Sequence, residues 1–281
     1  MNSKGKLCIV GTPIGNLGDF SPRGVQALED CDFIAAEDTR VSGKLLSHFG
    51  VKKPMISYFE HNKAERGQLI LEKLLSGQTV ALITDAGMPA ISDPGEDLVA
   101  LCVENGIAVT VVPGPTAALS ALAMSGLPTQ RFCFEGFLTV SKSGRREHLM
   151  SLKDEKRTMI FYEAPHKVIA TLRDMYSVLG DRRITLCREI TKLHEENIYT
   201  TLSQAQTLYS EENEPKGEFV LVVEGKTAAE EELTQEDNLA LAVKDAKALV
   251  EDGLSVKDAA KQTAAKYGVP KNAVYSELIV K

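Results

Sequence analysis

Residues Thr84–Gly95 read TDAGMPAISDPG, directly after the apolar run TVALI of Thr79–Ile83 and just before a helical pattern that begins near Asp93. Two glycines, two prolines and two aspartates in that stretch exclude a strand or a helix. A plain strand-to-helix connection is usually about 2–6 residues long, so this one reads as a shaped loop at the carboxyl end of a strand. Open α/β sheets hold small ligands at that edge.

Working outward, the first half alternates regularly. Strands are predicted at Lys6–Gly11, Phe33–Ala36, Met55–Tyr58, Thr79–Thr84 and Ala108–Val112, with helices at Pro22–Glu29, Gly43–Phe49, Lys63–Leu75 and Pro94–Glu104. That order predicts a parallel sheet covered on both faces. Ser21-Pro22 and Asp93-Pro94 each pair a capping side chain with proline at a helix start. Val112-Pro-Gly-Pro-Thr116 leads into the apolar segment AALSALAMSG and reads as a hinge.

Beyond it, strands are predicted at Arg157–Tyr162, Arg183–Cys187 and Glu218–Val223, with helices at Gly144–Leu152, His166–Leu179 and Ser203–Tyr209. The expected division is an α/β domain over 1–114, a second over 115–226, an acidic linker or solvated helix start over 227–238, and a helix-turn-helix-like module over 239–281. Residues 254–281 carry five lysines against Asp258 and Glu277. They suit either a nucleic-acid contact or a simple helical cap.

The 281 residues are 43% hydrophobic and 25% charged with a net charge of -7, which argues against diffuse nucleic-acid binding. Five scattered cysteines form no C-x-x-C, and the histidines have no helical ligand spacing, so neither a disulfide framework nor a metal site is expected. No run is long and apolar enough for a membrane helix. The start, MNSKGKLCIVG, lacks a signal-peptide core, and the expected setting is cytoplasmic.

Gly11-Thr-Pro-Ile-Gly15-Asn-Leu-Gly18 follows the first strand, and Glu37-Asp38 follows the second. The glycine spacing is not G-x-G-x-x-G, the next helix starts too late, and no G-x-x-x-x-G-K-[ST] occurs. Dinucleotide and P-loop binding both fail on geometry.

VGTPIGNLGD, AAEDTR, TDAGMPAISDPG, PGPTAALSAL, GLPTQRFCFEGFL, FYEAPHK and KGEFVLVVEG occur in order at natural spacings. Together they resemble the tetrapyrrole methylase family, and within it the bacterial methyltransferases of 16S rRNA, over residues 6–225. The resemblance implies a two-domain tetrapyrrole methylase-like α/β fold, with a parallel-sheet N-terminal domain, a mixed-sheet second domain and a small C-terminal helical module. It implies S-adenosylmethionine as methyl donor, 2′-O-ribose methylation of a cytidine in 16S rRNA or the small ribosomal subunit, and a homodimer. On this sequence the donor pocket is expected at Pro13, Ile14, Asp85, Met88, Ile91, Thr116 and Ala117, with Tyr162 and Val223 closing it. The chain departs from the common family pattern at Met88, Ala90, Phe59 and Lys167.

Alignment of an oxygen with an already activated methyl group is the main catalytic need. A carboxylate such as Asp85 suits the donor's positive end, or else stabilises a turn. Asp93 reads as a cap. For the acceptor, His61 is the first candidate base, with Glu60, Glu37 and Glu163 competing. Arg40, Asn62, Arg145, Arg146 and Arg188 are the candidate RNA contacts. The alternative activities are methylation of a tetrapyrrole ring and a ligand-sensing, nucleic-acid-binding regulator.

Overall fold

A computed structural model describes residues 4–210 and 213–279. Its first unit spans Met1–Leu152 and Thr158–Val223, and its second Lys153–Arg157 and Glu224–Lys281.

In the first unit, β1 (Lys6–Val10), β2 (Phe33–Ala36), β3 (Met55–Ser57), β4 (Val80–Ile83) and β5 (Ala108–Val112) make a parallel sheet in the order β3-β2-β4-β1-β5. Helices α1 (Pro22–Asp30), α2 (Thr39–His48), α3 (Lys63–Leu75) and α4 (Gly95–Glu104) join them. Successive side chains of a strand face opposite ways. Val10, Ile34, Ala36, Ala81 and Ile83 pack with Leu28 of α1 and Leu46 of α2. Leu7, Phe33, Ala35 and Leu82 pack on the other face with Ile70 and Leu74 of α3 and Leu98 of α4. Burial on both faces explains the continuous apolar runs. Because all five strands are parallel, the loops after their carboxyl ends share one edge.

The expected caps are present in part. Ser21 Oγ accepts from Gly24 N at 3.0 Å, ahead of Pro22. Helix α2 starts at Thr39, earlier than the expected Gly43, because Asp38 caps it by accepting from Arg40 N at 2.8 Å. Asp93 accepts from Gly95 N and Ala90 N, so it ties the loop to the start of α4.

The second sheet is mixed. After α5 (Ala117–Met124) come β6 (Phe132–Phe137), α6 (Lys142–Ser151), β7 (Thr158–Glu163), α7 (Pro165–Leu179), β8 (Arg183–Arg188), β9 (Glu196–Thr201), α8 (Leu202–Ala205) and β10 (Phe219–Val223). The order is β6-β7-β10-β8-β9, parallel only between β6 and β7. Met159, Phe161, Leu186 and Leu221 pack against Val168, Leu172 and Met175 of α7. Ile160, Cys187, Val220 and Val222 pack against Ala118, Ala121 and Leu122 of α5. Strands β6 and β9 lie outside the sequence expectation. A bulge near Gly136 (φ 63°) breaks the alternation of β6, and β9 is a polar edge strand.

The second unit holds α9 (Ala228–Glu251), α10 (Val256–Tyr267) and α11 (Lys271–Ile279). Residues 228–238, expected to be a linker or solvated helix start, form the first part of α9. Small residues let the helices approach: Ala242, Ala246, Ala259, Ala260 and Val274 share one core. Ser255 caps α10, and Gly268 ends it in the left-handed conformation. Among the described residues no helix is long and apolar enough to cross a membrane, and no cluster of His, Cys, Asp and Glu could hold a metal ion.

Candidate active site

The TDAGMPAISDPG loop is clamped to the loop after β1. Thr12 and Gly87 exchange backbone hydrogen bonds at 2.9 and 3.2 Å, and Thr12 Oγ1 donates to Thr84 O at 3.2 Å. Gly87 has φ 86°, while Ala90 (φ 65°) and Ser92 (φ 59°) occupy the left-handed region without being glycine. Such backbone persists only where surrounding contacts enforce it, and it collects at functional loops. Gly11 and Gly114 meet where β1 and β5 end: a Cβ on Gly114 would stand 2.8 Å from Gly11 backbone atoms. Met88 fills the remaining gap, its Sδ accepting from Gly114 N at 3.2 Å.

These loops and the mixed sheet enclose a cavity of about 500 Å3. Ile14, Met88, Ile91, Phe137, Ile190 and Val220 give it apolar walls, and Gly87, Thr116 and Ala117 bring backbone to its surface. Tyr162 stands in the wall, its hydroxyl accepting from Ala118 N at 3.2 Å and its ring against Phe134 and Phe137. Burial pushes the Tyr162 phenol up. Glu37, Asp93, Glu163 and Glu218 supply carboxylates. Burial raises the Asp93 carboxyl against the lowering effect of the Gly95 and Ala90 N–H groups. Glu163 is buried, accepting from Thr171 Oγ1 at 2.6 Å.

A second, polar cleft of about 480 Å3 is lined by Glu37, Asp38, Thr39, Arg40, Ser57, Phe59 and Asp85. Glu37 borders both spaces, and Thr84 Oγ1 donates to its Oε2 at 2.5 Å. Asp85 Oδ1 accepts from Asp38 N at 3.1 Å. Partial burial, followed by the Glu37 and Asp38 charges, pushes the Asp85 carboxyl up. Arg40 does the opposite to Asp38, donating to it at 2.7 Å and holding its carboxyl down to about 2.

Of the residues expected to hold the donor, Ile14, Met88, Ile91, Thr116, Ala117 and Tyr162 line the larger cavity. Pro13, next to Ile14 in the loop after β1, does not line it. Asp85 instead faces the polar cleft, because its carboxylate is turned to the start of α2. Val223 lies in the core under the sheet, and Val220, on the same strand, supplies the wall.

Among the acceptor candidates, Glu37 and Arg40 come together in the polar cleft. His61 is exposed with its ring edge-on to Phe59, and Glu60 is paired with Lys63 at 2.9 Å; neither lines either of the two spaces. Asn62 braces its own turn, accepting from Phe59 N and donating to Ser57 O. Arg145 is buried, with two donors on Asp174 at 2.6 and 2.8 Å. Arg146 is exposed beside the same Asp174, and Arg188 pairs with Glu196 at 2.9 Å. Phe137, Ile190, Lys192, Glu218 and Val220 were not foreseen. Ile190 and Lys192 follow a strand, the same signal that marked the first-half loops, whereas Phe137 ends a strand whose pattern is broken.

The tetrapyrrole (corrin/porphyrin) methylases match residues 6–206, and the RsmI C-terminal HTH domain matches residues 240–279. The chain is 48% identical over 272 residues to the ribosomal RNA small subunit methyltransferase I of Synechocystis sp., covering 96% of both chains. The enzyme of that name from Thermotoga maritima is 47% identical over 222 residues, which cover 79% of this chain and 99% of that one. Uroporphyrin-III C-methyl transferase from Thermus thermophilus, solved in complex with S-adenyl homocysteine, shares the fold with a TM-score of 0.53 at 17% identity, over 78% of this chain and 97% of its own. With a family match over most of its length and near-full-length relatives, the chain belongs to the tetrapyrrole (corrin/porphyrin) methylase family.

Proposed function

We propose that the protein transfers a methyl group from S-adenosylmethionine to the ribose 2′-oxygen of a cytidine in 16S rRNA. The observation that carries this reading is that Glu37 borders both spaces, the larger cavity and the polar cleft. A methyl group must pass from a donor site to an acceptor site, and a carboxylate at their junction can take the acceptor's proton.

The larger cavity fits such a donor. Its volume lies within the ordinary ligand range of about 300–1,000 Å3, its walls suit an adenosine, and its carboxylates complement a positive sulfur and an ammonium group. When bound, S-adenosylmethionine supplies a methyl group on a positively charged sulfur. Gly87, Thr116 and Ala117 bring backbone groups to the ligand, while Ile14, Met88 and Tyr162 exclude water. Thr84 orients Glu37 by hydrogen bond, leaving that carboxylate's other oxygen for the 2′-hydroxyl proton. Arg40, 89% exposed at its side chain, offers donors to a phosphate, and Phe59 offers an aromatic face to an unstacked base.

Relatives named for ribosomal RNA favour an RNA acceptor over a tetrapyrrole. In this reading residues 1–114 and 115–226 act as two domains that hold the donor, and 239–281 serve RNA docking. The exposed Val111 on edge strand β5 suits a homodimer contact, and the setting is the cytoplasm. Labelled S-adenosylmethionine offered with small ribosomal subunits lacking the modification, and separately with a uroporphyrinogen, tests the acceptor class. Label in the rRNA supports the reading; label in the tetrapyrrole alone overturns it.

A further inference from the structure

The larger cavity is lined by four carboxylates, and among its described residues Lys192 is the only cation. Its ammonium donates to Glu189 Oε1 at 2.8 Å and to Glu218 Oε2 at 3.1 Å. The two partners differ. Glu189 is held from several sides: its Oε1 also accepts from Glu218 N at 2.9 Å, and Gly217 (φ 84°) leaves it room, since a Cβ there would stand 2.5 Å from Glu189 Cγ. Glu218 keeps its side chain 82% exposed, with Lys192 as its side-chain partner and solvent rather than protein around it.

The lysine itself is held in place. Gly15 of the first loop lies over its stem, where an added Cβ would be 2.5 Å from Lys192 Cγ. The flanking backbone is bent into the left-handed region at Glu189 (φ 51°) and Thr191 (φ 67°), and Thr191 N is fixed by Glu195 at 2.6 Å. Strain of this kind, at a turn that delivers one cation into a cavity of anions, marks a ligand-facing device. Partial burial alone would depress the ammonium, but the Glu189 and Glu218 hydrogen bonds more than offset it.

We infer that Lys192 receives the α-carboxylate of the methyl donor. The inference rests on the donor reading above. The donor's amino-acid end carries one carboxylate, which the cavity's acidic residues repel and only this cation attracts.

Calorimetry on the full chain tests it with two ligands, S-adenosylmethionine and its decarboxylated form, which differ only in the carboxylate. Lys192→Met keeps the stem and removes the charge. The variant should lose about 10- to 100-fold in affinity for S-adenosylmethionine and little for the decarboxylated ligand. Equal losses for both would reduce Lys192 to a structural role, and an unchanged affinity for S-adenosylmethionine would place the carboxylate elsewhere. Weakened rRNA binding with donor affinity intact would assign the lysine to the RNA backbone, again overturning the inference. If the unmodified chain binds neither ligand, the donor reading itself fails, and this inference with it.

Discussion

The Thr84 hydroxyl donates to Glu37 Oε2 at 2.5 Å, tying together the carboxyl ends of the neighbouring strands β4 and β2. That bond fixes the one carboxylate shared by the two cavities. Replacing Glu37 by glutamine keeps an acceptor for Thr84 and removes the proton-accepting oxygen. Single-turnover methyl transfer should fall by about 10²- to 10⁴-fold, a far larger loss than that in donor affinity measured by calorimetry. A normal rate would shift the proton to another group.

Close approach of β1 and β5 makes a second prediction. Alanine at Gly114 would push a Cβ to 2.8 Å from Gly11 backbone atoms. The variant should lose about 1–3 kcal/mol of stability in denaturant titration. In contrast, Gly43 sits inside α2, where a Cβ meets only Met55 Cε at 3.8 Å. Gly43→Ala should stabilise by about 0.5–1 kcal/mol.

Arg145 and Asp174 form a buried pair, so Arg145→Ala leaves the buried Asp174 carboxylate with only the half-exposed Arg146 beside it, at 3.9 Å. Breaking such a pair costs about 3–5 kcal/mol. Thermal denaturation should show a large drop in Tm. The salt dependence of rRNA binding by the surviving folded protein should be unaltered; a smaller slope would return Arg145 to the RNA surface.

For Asp85 the folded-state carboxyl lies above its unfolded value, chiefly through partial burial. Stability is therefore lost as pH rises from the unfolded through the folded value, the reverse of a salt-bridged aspartate. Asp85→Asn should raise Tm at about pH 7.5, with the gain shrinking as pH falls toward about 4, the ordinary value of an aspartate. A gain that grows on acidification would contradict the assigned cause.

Much of this architecture is legible in the residues. Continuous apolar runs gave away the doubly covered parallel sheet, and proline and glycine punctuation located the loops at its carboxyl edge. What stayed hidden depends on contacts between distant segments. Nothing local shows that Ala90 and Ser92 adopt left-handed backbone, since the residues that usually signal it are glycine and asparagine. Nor does TDAG reveal that Asp85 turns toward Asp38 rather than inward. Arg145 looked like a surface cation because its partner, Asp174, lies on another helix. Lys192 was passed over because the turn carrying it follows a strand of the second sheet, whose edge strands β6 and β9 are irregular or polar.

Truncation after Lys226 removes α9 to α11 yet keeps the Lys226–Asp154 ion pair at 2.7 Å. The Thermotoga maritima relative is matched over 99% of its length by 79% of this chain. The shortened protein should bind donor as well as the full chain and methylate ribosomal substrate more slowly. Equal methylation would remove residues 239–281 from RNA docking.

The most direct measurement is nucleoside mass spectrometry of 16S rRNA after incubation of unmodified small subunits with the protein and S-adenosylmethionine, run beside the Glu37→Gln variant. The expected result is one 2′-O-methylcytidine, formed by the unaltered chain and nearly absent with the variant. A methyl group on a base, or none in the rRNA at all, would contradict the account.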